Sequence, residues 1–105
     1  MMNEPKCKVA YMTIIAERKK SDALLASLFG AGGRLINIVY GKGSVKASYV
    51  RDVLGLVPEE NKIVITSLIP DEKVNSILEM LAAKFRFDQP NTGIAYTIPV
   101  ERLSL

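Results

Sequence analysis

The sequence contains no histidine and only one cysteine, Cys7. Zinc and copper sites in proteins draw mainly on these two residue types, so a site for either metal has almost no ligands available. Without histidine, the serine–histidine and cysteine–histidine arrangements of nucleophilic catalysis are excluded. A single cysteine cannot form a disulfide within the chain, which is typical of a protein of the reducing cytoplasm.

Long apolar runs are missing as well. No stretch of the sequence approaches the roughly 20 consecutive apolar residues that a membrane-spanning helix needs. Residues 1–8 lack the apolar segment that forms the centre of a secretory signal peptide. We therefore expect a soluble, cytoplasmic protein that does not itself span a membrane.

The composition favours one folded domain, residues 1–105, with a single hydrophobic core. Of the 105 residues, 49% are hydrophobic and 24% are charged, which excludes a disordered or fibrous chain. The net charge is +3, and the basic residues are scattered along the sequence. This excess favours phosphate-bearing ligands, but it is far too small and too scattered for a nucleic-acid-binding surface.

Hydrophobic periodicity divides the chain into four strands and two helices. The second helix has the clearest period, because Val74, Ile77 and Leu81 recur at the spacing of one helix face. The first helix follows a charged connection at 17–22 and ends at Phe29, before a group of glycines. The predicted strands are 8–16, 34–40, 62–69 and 94–100, and the second helix is 71–85. The order β-α-β-β-α-β is that of the ferredoxin-like α+β fold, an antiparallel sheet with both helices on one face.

The first and third predicted strands are apolar on both faces. In the first strand, Tyr11 and Ile15 point to one side of the sheet, and Met12 and Ile14 point to the other. A monomer of this fold should have a polar face opposite the helices. Covering several hundred Å² of apolar surface contributes about 10 kcal/mol before entropy. We therefore expect identical copies of the chain to associate sheet against sheet.

The longest segment without a clear core pattern begins at Gly41, Lys42 and Gly43, where the second strand ends. It continues to residue 61 and includes a short helix predicted at 48–54. Two glycines at the end of a strand are typical of a turn. Lys42 is suited to neutralise phosphate, and it is equally suited to a surface that a target protein contacts.

The last loop, 87–93, leads directly into the fourth predicted strand. Asn91 and Gly93 suit a positive φ, and Thr92 lies between them. Successive backbone N–H groups in a loop of this kind can hold an anion. Arg102 follows the strand and is suited to reach a ligand bound by a neighbouring subunit.

On these residues the chain resembles the PII superfamily of signal-transduction proteins (nitrogen regulatory protein PII), in its diverged PII-like branch. Residues 92–101, TGIAYTIPVE, are similar to the ligand-contacting B-loop and last strand of that family. Gly41, Lys42 and Gly43 resemble the glycine pair from which the family's long T-loop extends. Residues 69–72, at the start of the second predicted helix, are a third and weaker point of resemblance to the family. The resemblance covers the length and element order of nearly the whole chain.

The resemblance implies a homotrimer whose sheets line its centre, with ligand clefts between neighbouring subunits. The T-loop-like segment 41–61 and the B-loop-like segment 87–93 bound each cleft, where family members bind an adenine nucleotide as effector. A target protein, such as a membrane transporter or an enzyme, reads the conformation of the T-loop, so we expect a regulator and not an enzyme. The expected ligand-binding residues are Gly41, Lys42, Gly43, Asn91, Thr92, Gly93 and Arg102, with no catalytic residue, no metal ligand and no certain cofactor.

The sequence departs from the family pattern at Ile94, where the family's B-loop has a lysine. The change removes a direct contact to phosphate, so a mono- or diphosphate, a cyclic dinucleotide or no nucleotide all stay open as ligands. An alternative is an ACT-like module that binds amino acids as a side-by-side dimer, because residues 28–38 resemble the helix-to-strand turn of that family. Direct RNA binding is disfavoured, since the third strand lacks the stacking aromatic residues of RNA-recognition domains.

Overall fold

The computed structural model describes residues 8–41, 62–89 and 92–102. Cys7, Lys42, Gly43, Asn91 and the predicted helix at 48–54 lie outside these ranges. The elements in chain order are strand β1 (Val9–Glu17), a 3₁₀ turn (Arg18–Lys20), helix α1 (Ser21–Gly30), strand β2 (Arg34–Gly41), strand β3 (Lys62–Pro70), helix α2 (Asp71–Lys84) and strand β4 (Gly93–Pro99). The predicted bounds of the four strands and of α2 differ from the observed ones by at most one residue, and α1 begins at Ser21, inside the connection predicted at 17–22.

The four strands form one antiparallel sheet in the order β2-β3-β1-β4. The central pair is β1 and β3, which are in register from Val9 opposite Pro70 to Glu17 opposite Lys62. Strands β2 and β4 are therefore the two edges of the sheet. The predicted ferredoxin-like α+β class is confirmed. In the described part of the chain, no helix combines the length and apolar character needed to cross a bilayer.

The hydrophobic core lies between the sheet and the two helices. On the sheet side, alternate residues of the central strands are fully buried, because successive side chains of a strand point to opposite faces. On the helix side, the buried positions recur at helical spacing, as the sequence predicts for α2. The buried core residues are Met12, Ile14, Ala16, Leu24, Leu28, Ile63, Ile65, Ile69, Ile77, Leu81 and Phe85.

Helix α1 ends in a Schellman motif. Gly32 has φ +107°, the left-handed region that favours glycine. The N–H of Gly33 donates to the carbonyl of Leu28 at 2.9 Å, and the N–H of Gly32 donates to that of Phe29 at 3.1 Å. The glycines after Phe29 therefore stop the helix, as predicted, by satisfying carbonyl groups that the helix leaves free.

The face of the sheet opposite the helices, here called the open face, is largely apolar. Paired residues of antiparallel strands share a face, so Tyr11, Leu68 and Ile98 form one row across it. A middle row is more polar, with Thr13 beside Thr66. Four large apolar or aromatic side chains of the open face remain exposed in the single chain: Tyr11, Val39, Tyr96 and Ile98. The prediction that both faces are apolar is borne out, except in this middle row.

Candidate functional site

Strand register places two of the predicted site residues at the same end of the sheet. Gly41, the last residue of β2, is opposite Lys62 of β3, which is opposite Glu17 of β1. Gly93, the first residue of β4, is opposite Ala16 of β1. The two glycines lie on the two edge strands, three strand spacings or about 14 Å apart. One chain therefore carries both at one end of the sheet, but does not bring them into contact.

Arg102 lies at the other end of the sheet. Strand β4 runs away from Gly93, and the N–H of Val100, just beyond the strand, donates to the carbonyl of Val9 at 3.1 Å. Six strand residues at about 3.3 Å each separate Gly93 from Pro99 by about 20 Å. Within one chain, Arg102 therefore cannot share a ligand with Gly41 or Gly93.

The loop between α2 and β4 is held by its own backbone and by one hydroxyl. Arg86 has φ +60°, so the chain turns sharply after the helix. The N–H of Gln89 then donates to the carbonyl of Arg86 at 2.9 Å. The Thr92 hydroxyl donates to the carbonyl groups of Arg86 and Gln89, the latter at 2.9 Å. Thr92 thus closes this loop, a role that the sequence did not indicate.

Gly93 is required by packing and not by backbone conformation. Among the described residues, Gly32 is the glycine with positive φ, so the expectation that Gly93 adopts a positive φ is wrong. A Cβ atom on Gly93 would lie 2.5 Å from two ring carbons of Phe87. The absence of a side chain therefore allows the Phe87 ring to cover the start of β4.

A pocket of about 310 Å³ opens beside this contact, between the end of α2 and β4. It exists because small residues, Ala82, Gly93 and Ala95, stand where larger side chains would fill the space. Its lining residues are Leu78, Leu81, Ala82, Phe87, Asp88, Gly93, Ile94 and Ala95. Leu78, Phe87 and Asp88 line this pocket but were not among the ligand-binding residues expected from the sequence, although the last two lie in the segment 87–93. The sequence did contain one indication of this pocket: the small residues Gly93 and Ala95 lie at alternate positions and therefore share the helix-facing side of β4.

The pocket is suited to a small, mainly apolar group with one polar contact. Its lining is apolar apart from the exposed carboxylate of Asp88 and backbone groups. Ile94 is also in the lining and brings no positive charge. In the described part of the chain, no three metal-ligating side chains lie together.

The fold has clear counterparts among solved structures. CPII from Thiomonas intermedia K12, bound to ADP, AMP and acetate, is 25% identical with a TM-score of 0.66, over 90% of this chain and 89% of that one. A PII-like signaling protein from Thermus thermophilus is 20% identical with a TM-score of 0.62, over 86% and 83% of the two chains. Arabidopsis thaliana PII bound to citrate is 14% identical with a TM-score of 0.63, over 90% and 78%.

These structures define the class of the protein. Its architecture is that of a ferredoxin-like α+β domain, and within that class its fold is the PII-like fold. The resemblance stated from the sequence is confirmed at this level. CPII is itself described as a nitrogen regulatory PII-like protein. No protein-family model matches the sequence, and no curated protein matches it significantly.

Proposed function

We propose that this protein is a trimeric PII-like regulator that binds a small ligand, an adenine nucleotide, in clefts between its subunits. The observation that carries the proposal is the structural match to CPII, which is 25% identical over 90% of this chain and is bound to ADP and AMP. Regulation of nitrogen metabolism through a target protein, a membrane transporter or an enzyme, is the role that such a protein would have. The protein itself would have no catalytic activity.

The open face supports the association of copies. Val39, at 61% exposure, and Ile98, at 55%, would be covered if sheets packed together. A closed ring of identical copies also lets the β2 edge of one copy face the β4 edge of the next. Gly41 of one subunit would then lie beside the loop that precedes Gly93 of its neighbour. This geometry supports a shared cleft, because one chain holds the two glycines about 14 Å apart.

The same geometry supports an output through segment 41–61. Gly41 and Lys62 are paired neighbours on β2 and β3, so both ends of the segment meet at the sheet. A ligand that contacts Gly41 therefore acts at the base of the segment, and Lys42 and Gly43 would complete the contact. Asn91, Thr92 and Gly93 would supply the other wall of the cleft, and Arg102 would come from an adjacent subunit.

The composition of the site favours a mono- or diphosphate over a triphosphate. Ile94 brings no charge to the B-loop-like segment, so one phosphate contact of the related proteins is missing.

We place the protein in the cytoplasm, which its single cysteine supports.

Calorimetry with AMP, ADP, ATP and adenosine, combined with light scattering, tests this function. We expect a trimer that binds ADP or AMP. At a ligand concentration of 100 times Kd, binding should stabilise the fold by about 2.7 kcal/mol. A dimer that binds an amino acid, with no response to any nucleotide, would support the ACT-like alternative instead. If the protein is a trimer but binds no nucleotide, the proposed assembly is supported and the adenine nucleotide is ruled out as its ligand.

A further inference from the structure

A row of polar side chains crosses the middle of the open face. Asn37 of β2 is opposite Thr66 of β3, and Thr66 is opposite Thr13 of β1. Thr13 is in turn opposite Tyr96 of β4. Residues that pair in this way lie side by side on the same face of the sheet. These four residues, here called the middle row, therefore span all four strands at one height along the strands.

Mainly apolar rows lie on both sides of the middle row. Side chains of one strand that share a face are two residues apart, so the same register defines these flanking rows. One flanking row includes Leu68, Tyr11 and Ile98, and the other includes Val64, Ile15 and Ile94. Across β3, β1 and β4, the open face is thus apolar, polar and apolar in succession.

The chain itself does not use the hydrogen-bonding groups of the middle row. Among the described residues, no side-chain hydrogen bond is made by the three hydroxyl groups or by the amide of this row. In a single chain, water can satisfy the outer members, since Asn37 is exposed and Tyr96 is 46% exposed. Covering the open face would remove this water, so each polar group would then need a new partner.

This requirement restricts the kind of surface that can cover the open face. A purely apolar partner would leave four polar side chains buried without hydrogen bonds, which is costly. Hydroxyl and amide groups both donate and accept hydrogen bonds, so the middle row is complementary to a second copy of itself. Identical copies related by rotation about an axis along the strands also present the same row at the same height. A second copy of this chain therefore satisfies the polar row and the two apolar rows together.

We propose that the middle row is the hydrogen-bonding layer that fixes how copies of this chain associate through the open face. Asn37, Thr66 and Tyr96 of one copy bond to the same row of a neighbouring copy, and the flanking rows pack against each other. Apolar rows alone would let one sheet slide along another, whereas a polar row is satisfied in one register only. The inference rests on the proposed function, because it takes the association of copies from there and names the residues that determine its register.

Sedimentation equilibrium of Thr66→Val and Tyr96→Phe over a dilution series tests this layer. Each variant nearly keeps the size of the side chain and removes one hydroxyl group from the middle row. The protein concentration at which half of the copies are dissociated should rise about tenfold, because a polar group of the neighbouring copy loses its partner. Thr66→Ser retains the hydroxyl and should stay within about threefold of the unchanged protein. The matched control is Thr97→Val, which should have no effect, since Thr97 is opposite Met12 on the helix-facing side of the sheet.

The sign of the effect separates the outcomes. If Thr66→Val and Tyr96→Phe form trimers at least as tight as those of the unchanged protein, their hydroxyl groups are not paired between copies, and only the middle row is rejected. Equal weakening in Thr97→Val would reject it as well. Circular dichroism checks that all variants remain folded. If the unchanged protein forms a dimer that both middle-row variants weaken, the middle row stands and the proposed trimer fails. If the unchanged protein sediments as a single chain at every concentration, both proposals fail.

Discussion

The ring of Phe87 covers Gly93 so closely that a Cβ atom on the glycine would lie 2.5 Å from two of the ring carbons. The contact joins the loop after α2 to the first residue of β4. It also forms one wall of the 310 Å³ pocket beside that loop. The position of the loop, and thus the shape of the candidate cleft, depends on this contact between two residues that are close in sequence.

Gly93→Ala should destabilise the fold by about 1–3 kcal/mol, because the added methyl group must displace the Phe87 ring. For a domain of this size the melting temperature would fall by about 4–8 °C per kcal/mol. Gly30→Ala is the matched control, since a Cβ atom there meets nothing within 4 Å. The double variant Gly93→Ala with Phe87→Leu should recover part of the loss. Unchanged thermal stability of Gly93→Ala would show that the ring moves away at no cost.

Thr92→Val should weaken the loop that its hydroxyl closes. The variant keeps the size of the side chain but removes the donor to the carbonyl groups of Arg86 and Gln89. We expect a loss of about 1 kcal/mol in the free energy of unfolding, measured by urea denaturation. Thr92→Ser retains the hydroxyl and should lie closer to the unchanged protein. If Thr92→Ser loses as much as Thr92→Val, the hydroxyl does not contribute to stability.

Charges on the open face should prevent association. Val39→Lys and Ile98→Lys each place an ammonium group on a surface that the proposed trimer would bury, and desolvating an unpaired charge is costly. Light scattering at micromolar concentration should show a shift to the mass of one chain. Phe29→Lys is the control, because Phe29 is 68% exposed on α1, away from this face. If both strand variants keep the molar mass of the unchanged protein, the open face is not the interface.

Ile94→Lys should introduce the phosphate contact that the related B-loop has. We expect its affinity for ATP to rise about tenfold relative to AMP, because the added ammonium group can pair with a further phosphate. Ile94→Met, which has similar size and no charge, should leave the ratio of ATP to AMP affinity as it is. Calorimetry on the three proteins measures this ratio. If the ratio of ATP to AMP affinity in Ile94→Lys equals that of the unchanged protein, the phosphates of the bound nucleotide do not lie near this residue.

The secondary structure was set locally and could be predicted. The periods of 2 and 3.6 residues are properties of short stretches, so β1 and α2 were placed to within one residue. The apolar character of both sheet faces was also evident, since alternation along β1 assigns Tyr11 and Met12 to opposite sides. The ferredoxin-like class followed from the order of the elements, without any knowledge of their contacts.

What only the tertiary structure decided concerns residues that meet through the register of the strands and the packing of side chains. Pairing of β1 with β3 places Lys62 opposite Glu17, a pair of opposite charges that the linear sequence hides. The direction of β4 carries Arg102 to the end of the sheet remote from Gly93. Gly93 was expected to adopt a positive φ, but a neighbouring ring, and not φ, excludes a side chain there. Such contacts depend on the relative placement of whole elements, which no local period encodes.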